Sequence, residues 1–196
     1  PNYYSADLPF YYEHLAGFLP PKIIDIHTHA GGRGKIWKEG DRLPTYWPGW
    51  ISKGAGMTVP NLLAALALMF PGKEVIPNVL GGGRRGSIDG PTDALIQDLT
   101  SYPHIYGFMR NLPEWSEQEI IARYERGRFR GLKPYRSMAP EHLGDEEVTI
   151  LDFMPRHQIK VAEERGWVIM LHIPKAERLA DSSNIAQLKE IADSFP

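Results

Sequence analysis

Apolar positions along the chain fall into two patterns, short unbroken runs and stretches in which they recur three and four residues apart. Ile23, Ile24 and Ile26 make the first short run. β-branched residues favour strands, and the run is too short for a globular helix but suits a buried parallel strand. Similar runs follow at 74–80 (Val75, Ile76, Val79, Leu80), 105–109, 129–134 and 167–171, the last being the clearest. Pro77 within the second predicts a bulge or an early end. Helical patterns lie between the runs. Residues 58–70 open on Thr58 as a cap with Pro60 in the first turn and end at Pro71-Gly72. This stretch is apolar almost throughout from Leu62 to Phe70, which predicts burial on several sides. Pro91–Leu99 is a second helix. Ser116 and Glu119 form a capping box ahead of Ile120, Ile121 and Tyr124. Pro155 opens a helix that reaches Glu164, with Gly166 closing it, and Asn184 with Gln187 reads as a further capping box. The apolar run Ile150–Phe153 is ambiguous between strand and helix.

Residues 1–22 form an N-terminal helical extension, with Asp7 as cap, Pro9 in the first turn and Phe10, Tyr11, His14, Leu15 and Phe18 at helical spacing. His14 is read as a packed or surface residue. Pro20-Pro21 ends this segment. From there a strand is followed by a helix five times, the pattern of βαβ units and a parallel sheet. Right-handed crossovers leave a barrel or an open sheet. In either, functional residues gather at the C-terminal ends of the strands. Five strands do not close a (βα)8 barrel, whose usual length is about 250 residues. Residues 23–196 are therefore either an open sheet or the first part of such a barrel, stopping before strand six, and the second is preferred.

His27 and His29 follow the first strand directly. Residues two apart on a strand share a face, so two imidazoles at its mouth offer two borderline ligands for a divalent metal such as zinc. A pair of surface histidines is the plain alternative; the strand before them and Gly31-Gly32 after them favour ligands. Arg84, Arg110, Lys133 and His172 also fall at or just past predicted strand ends, and Arg136 follows closely. Arginine suits bidentate carboxylate recognition and lysine supplies a point charge. These four cations, Lys133, Arg136, Arg110 and Arg84, predict a small acidic organic substrate. Salt bridges to Glu141 and Asp145 are the competing use for them. Asp25 is read as a hydrogen-bond acceptor or as a partner that orients a histidine ligand from behind. The glycine-rich turn from Gly81 to Gly86 matches neither phosphate-binding fingerprint. Residues 30–57, rich in Gly, Pro and Trp and carrying Arg33, Lys35 and Lys38, are expected to be a long loop forming a pocket wall or lid.

Composition narrows the classes further. The chain of 196 residues has no cysteine, so it has no disulfide framework and no thiolate nucleophile. A metal would have to be held by His, Asp, Glu or a modified Lys. A net charge of -2 gives no electrostatic footprint for nucleic acid or an anionic membrane. No apolar run has membrane-spanning length and no signal-like segment opens the sequence, so a cytoplasmic location is expected. A homo-oligomer is compatible with all of this.

The run Ile24-Asp25-Ile26-His27-Thr28-His29-Ala30-Gly31 resembles the opening strand of the amidohydrolase superfamily. The finer similarity is to the amidohydrolase-2 branch, which includes the aminocarboxymuconate-semialdehyde decarboxylase relatives. Tyr106-Gly107-Phe108, Phe129-Arg130-Gly131-Leu132-Lys133 and Val168-Ile169-Met170-Leu171-His172 are similar to its third, fourth and fifth strands. The resemblance covers roughly residues 20 to 196. It implies a distorted (βα)8 TIM barrel with one divalent ion, zinc by ligand type, at the mouth. His27 and His29 match the first-strand ligands and His172 the fifth-strand ligand. A histidine after strand six and an aspartate after strand eight would lie beyond residue 196, so no catalytic base is assigned. Lys133 matches a position that is a carboxylated lysine in binuclear branches; an unmodified Lys133 contacting a substrate carboxylate is preferred. The implied activity is hydrolysis of a carboxylate-bearing lactone or amide by metal-activated water. Non-oxidative decarboxylation of an unsaturated or aromatic acid is the runner-up, and a barrel that binds metal or acid without catalysis is the third.

Overall fold

The computed structural model describes residues 3–30, 59–83 and 85–195. The expected loop at 30–57, apart from Ala30, and the expected cap Thr58 lie outside these residues, as does Arg84. Five strands form one parallel sheet: β1 (Lys22–Thr28), β2 (Glu74–Leu80), β3 (Tyr106–Met109), β4 (Phe129–Leu132) and β5 (Val168–Ile169), hydrogen-bonded in chain order. The sheet is strongly curled, a distorted partial (βα) barrel of about five units. Among the described residues it carries seven α-helices: α1 (Tyr3–Phe10), α2 (Val59–Met69), α3 (Asp89–Ser101), α4 (Glu117–Glu125), α5 (Ile150–Phe153), α6 (Arg156–Glu164) and α7 (Ser182–Ser194).

Local chemistry accounts for most of these limits. Ser116 caps α4 by accepting from the Glu119 backbone N–H at 3.2 Å, and the Glu119 carboxylate turns to Arg123. The ambiguous run at 150–153 becomes a one-turn helix because Thr149 and Asp152 close a capping box around it. Gly166 ends α6 with φ +64°, a left-handed conformation open to glycine.

Four expectations are corrected. Asp7 does not cap α1, which already starts at Tyr3; Pro9 lies inside it, and the chain continues as a wider π-helical turn at Tyr11–Leu15. Proline supplies no N–H to the helical ladder, which fits the change of winding directly after it. The N-cap of α7 is Asp181, which accepts from the Asn184 N–H at 2.9 Å; Asn184 is itself buried, and Gln187 accepts instead from the Ile150 N–H. Helix α2 buries one stripe, Val59, Leu62 and Leu66, while Leu68 and Met69 are exposed, because it rests on the sheet by one face. Finally, β5, expected over 167–171, spans only Val168–Ile169, and beyond it the Met170 N–H still donates to Leu132 O.

The two faces of the sheet can be told apart from register. Val79 pairs with Gly107 and Gly107 with Phe129. A Cβ placed on Gly107 would lie 2.9 Å from Leu99 of α3, so this is the helix-covered face. Leu80, Phe108, Gly131 and Val168 pair in turn on the other, concave face. The core lies between sheet and helices, where Leu99, Ile105, Met109, Ile120, Leu132 and Ala162 are all buried.

Candidate functional site

Pro77 has no amide proton to donate to a ladder, and the register slips beside it. Asp25 pairs with Pro77 but Thr28 pairs with Val79, so β1 carries one extra residue between the two pairs. This is the bulge that Pro77 predicts, displaced onto the partner strand. Its consequence is a change of parity. Thr28, matched to Val79, is buried on the helix-covered side. Its neighbours His27 and His29 therefore project to the concave face, with ring centroids 5.2 Å apart. Asp25 falls on the other side, and its carboxylate accepts from the backbone N–H of His27 at 3.0 Å. Its bond goes to the main chain at the bulge rather than to an imidazole.

Alternation carried past the other strand ends brings Arg110 after Phe108, Lys133 after Gly131 and His172 after Met170 to the same face. The Lys133 N–H donates to Met109 O at 2.8 Å and the Met170 N–H to Leu132 O at 2.9 Å, so the ladder does continue there. Electrostatics agree with this placement. Burial, then the Lys133 charge, lowers the pKa of His27; burial, then His27, Lys133 and Arg110, lowers that of His29. His172 is pushed down to about 4, by burial first and then by Lys133, Arg178, Arg136 and Arg110. All three imidazoles are thus biased toward the neutral form that ligates metals. Lys133 is also lowered, by burial and then by Arg110. Its side chain is only 4% exposed.

The four cations predicted for substrate are arranged very differently. Arg110 is clamped: its Nε donates to Gly81 O at 2.9 Å, Nη1 donates to Gly83 O, and its guanidinium lies 3.8 Å from the Tyr135 ring centroid. A Cβ on Gly81 would come within 3.2 Å of the Arg110 backbone nitrogen, so glycine allows the close approach. Arg136 pairs with Asp145 at 3.5 Å, the competing use foreseen for it. Arg84 is outside the described residues. Lys133 makes no ion pair among the described residues. Beyond Arg110 the chain is fixed by a buried amide pair. Asn111 Nδ2 donates to Gln158 Oε1 at 2.8 Å, and Gln158 Nε2 donates to Leu112 O at 2.8 Å and Trp115 O at 3.0 Å.

The sequence reading passed over Tyr135. Besides Arg110, Lys133 Nζ lies 5.4 Å from its ring centroid and the His172 ring meets it edge-on at 5.5 Å. The signal was present: Tyr135 stands two residues after Lys133, the spacing of one strand face.

Whether these residues suit a divalent ion can be judged from the donors. Two neighbouring neutral imidazoles fit, and the buried Nδ1 of His172 has no hydrogen-bond partner among the described residues. No group of three His, Asp or Glu side chains within reach of one ion is found among the described residues. No helix among them is long and apolar enough to cross a membrane.

No protein-family model matches the chain. No curated protein sequence matches it either. The fold is similar to the crystal structure of a probable 2-pyrone-4,6-dicarboxylic acid hydrolase from Acinetobacter baumannii with citric acid bound, at a TM-score of 0.53 and 15% identity over 88% of this chain. The chain spans about half of that structure's length, 55%. At this identity the likeness shows the fold alone, a parallel (βα) barrel architecture.

Proposed function

We infer that this chain carries the front part of a metal-dependent hydrolase site for a small carboxylate-bearing lactone or amide. The observation that supports this most is that the buried Lys133 charge acts on all three imidazoles, His27, His29 and His172, which follow strands of one sheet toward its concave face. The fold's likeness to a probable hydrolase of a pyrone dicarboxylic acid favours hydrolysis over decarboxylation.

His27 and His29 would hold the ion, zinc by ligand type, with His172 as the proposed third imidazole. When bound, such an ion lowers the pKa of water and polarises a carbonyl. Lys133 has the simplest role. Its ammonium is desolvated and has no carboxylate partner among the described residues, so an incoming carboxylate restores the charged form and is held by it. Arg110, fixed by two backbone carbonyls, contributes a positive field at a set position rather than a mobile fork. Neutral His172 is edge-on to Tyr135 and so kept in orientation.

The test is an assay of metal-loaded protein against lactones, amides and aromatic carboxylates, with released acid and carbon dioxide measured separately. Acid release without carbon dioxide is expected, abolished by chelation and by His27→Ala. Carbon dioxide at the rate of substrate loss would replace hydrolysis with decarboxylation.

A further inference from the structure

We propose that Tyr135 is a substrate-binding residue of this site, its phenol hydroxyl donating to the carboxylate that Lys133 attracts. The inference rests on the small-acid reading above and deepens it.

Three observations on the ring lead there. First, its surroundings are cationic: the Arg110 guanidinium lies 3.8 Å from its centroid and Lys133 Nζ 5.4 Å away. A π face so placed against a cation is attracted to it, and the pair fixes the ring's plane. Second, the Arg110 guanidinium that the ring stacks on is itself restrained, by Gly81 O and Gly83 O. The ring is therefore preorganised, and little entropy is lost when a ligand uses it. Third, the hydroxyl makes no hydrogen bond among the described residues, and the two cations nearest the ring, Arg110 and Lys133, carry donors only. A ligand that brings acceptors would satisfy the phenol O–H beside these two cations. A carboxylate does so, and it also answers the unpaired Lys133 charge.

Arg110 is anchored through Nε and Nη1 to Gly81 O and Gly83 O, which holds its guanidinium at one set position. Arg136 is drawn off toward Asp145. Recognition by Lys133 and Tyr135 together gives one ammonium and one hydroxyl per carboxylate, which suits a carboxylate approached from two directions rather than a flat bidentate fork.

The experiment is calorimetric binding of citrate, malonate and benzoate to the wild-type protein and to Tyr135→Phe, Tyr135→Leu, Lys133→Met and the Tyr135→Phe/Lys133→Met pair. Tyr135→Phe keeps the ring on Arg110 and removes only the hydroxyl. It is expected to weaken the acid that binds wild type by roughly tenfold, with the melting temperature unchanged. In the double variant the two losses should be less than additive, because both groups hold one carboxylate. Wild-type affinity in Tyr135→Phe, with loss only in Tyr135→Leu, would overturn the inference while leaving the small-acid site intact. If wild type binds none of the three acids, the site reading and the inference fall together.

Discussion

The two ends of the sheet differ in how firmly they are built. From β3 to α6 the chain is closed on itself. Met109, Leu132, Phe153 and Ala162 are exposed to 1% or less, and Asn111 donates to Gln158 with no exposure of either residue. At β1 the sheet is open: Ile24 is 60% exposed and Ile26 61%. The cationic half of the site, Arg110 and Lys133, stands on the closed side, and the imidazole pair stands on the open one. Preorganised charge is thus set in the dense part of the sheet, while His27 and His29 depend on a bulge held by Asp25 and the irregular ladder beside Pro77.

The sharpest way to break this contrast is at Gly131. A Cβ there would collide with the Val168 carbonyl oxygen and lie 2.7 Å from Phe108. Backbone cannot move aside as a flexible side chain can, so Gly131→Ala should cost more than about 3 kcal/mol or prevent folding. Urea unfolding measures it, and a cost below about 1 kcal/mol would mean that β4 and β5 are not closely joined.

Lys133→Met separates binding from stability. Removing a buried ammonium without an ion-pair partner among the described residues should raise stability by about 1 kcal/mol. The same change should weaken small-acid binding by about 2 kcal/mol, roughly thirtyfold. Thermal unfolding and calorimetry on one sample read the two opposite effects.

Acid sensitivity comes next in size. His172 titrates near 4 in the fold against 6.5 when unfolded. The unfolded chain then binds more protons across that window, so this contribution is complete above about 6.5 and is lost as pH falls toward 4. After allowance for solvent access the loss is on the order of 1 kcal/mol. Unfolding curves at pH 7 and pH 4.5 should show a smaller difference for His172→Gln than for wild type.

The smallest effect belongs to the open side. Ile24→Thr keeps a β-branched residue on an exposed position and should change stability by less than about 0.5 kcal/mol. A cost of 2 kcal/mol would show that Ile24 is covered in solution.

Much of the fold was legible because it depends on local pattern. Apolar runs separated by capped helices foretold a parallel sheet, and the curled five-stranded sheet follows that order. Pro77 announced an irregularity. What remained hidden depends on partners distant in sequence. That Arg110 is spent on Gly81 and Gly83, that Arg136 meets Asp145, and that α2 buries a single stripe are matters of which surfaces meet. Tyr135 was missed for a different reason. Attention to charge and metal ligands overlooked an aromatic residue whose neighbours are cations.

We propose that His27, His29 and His172 serve one ion. X-ray absorption of the zinc-loaded protein counts imidazoles at the metal, and His172→Ala supplies the comparison. Three histidine nitrogens in the wild type, falling to two in the variant with zinc still bound, is the expected result. An identical count in both proteins would contradict the claim and leave His172 with no part in holding the metal.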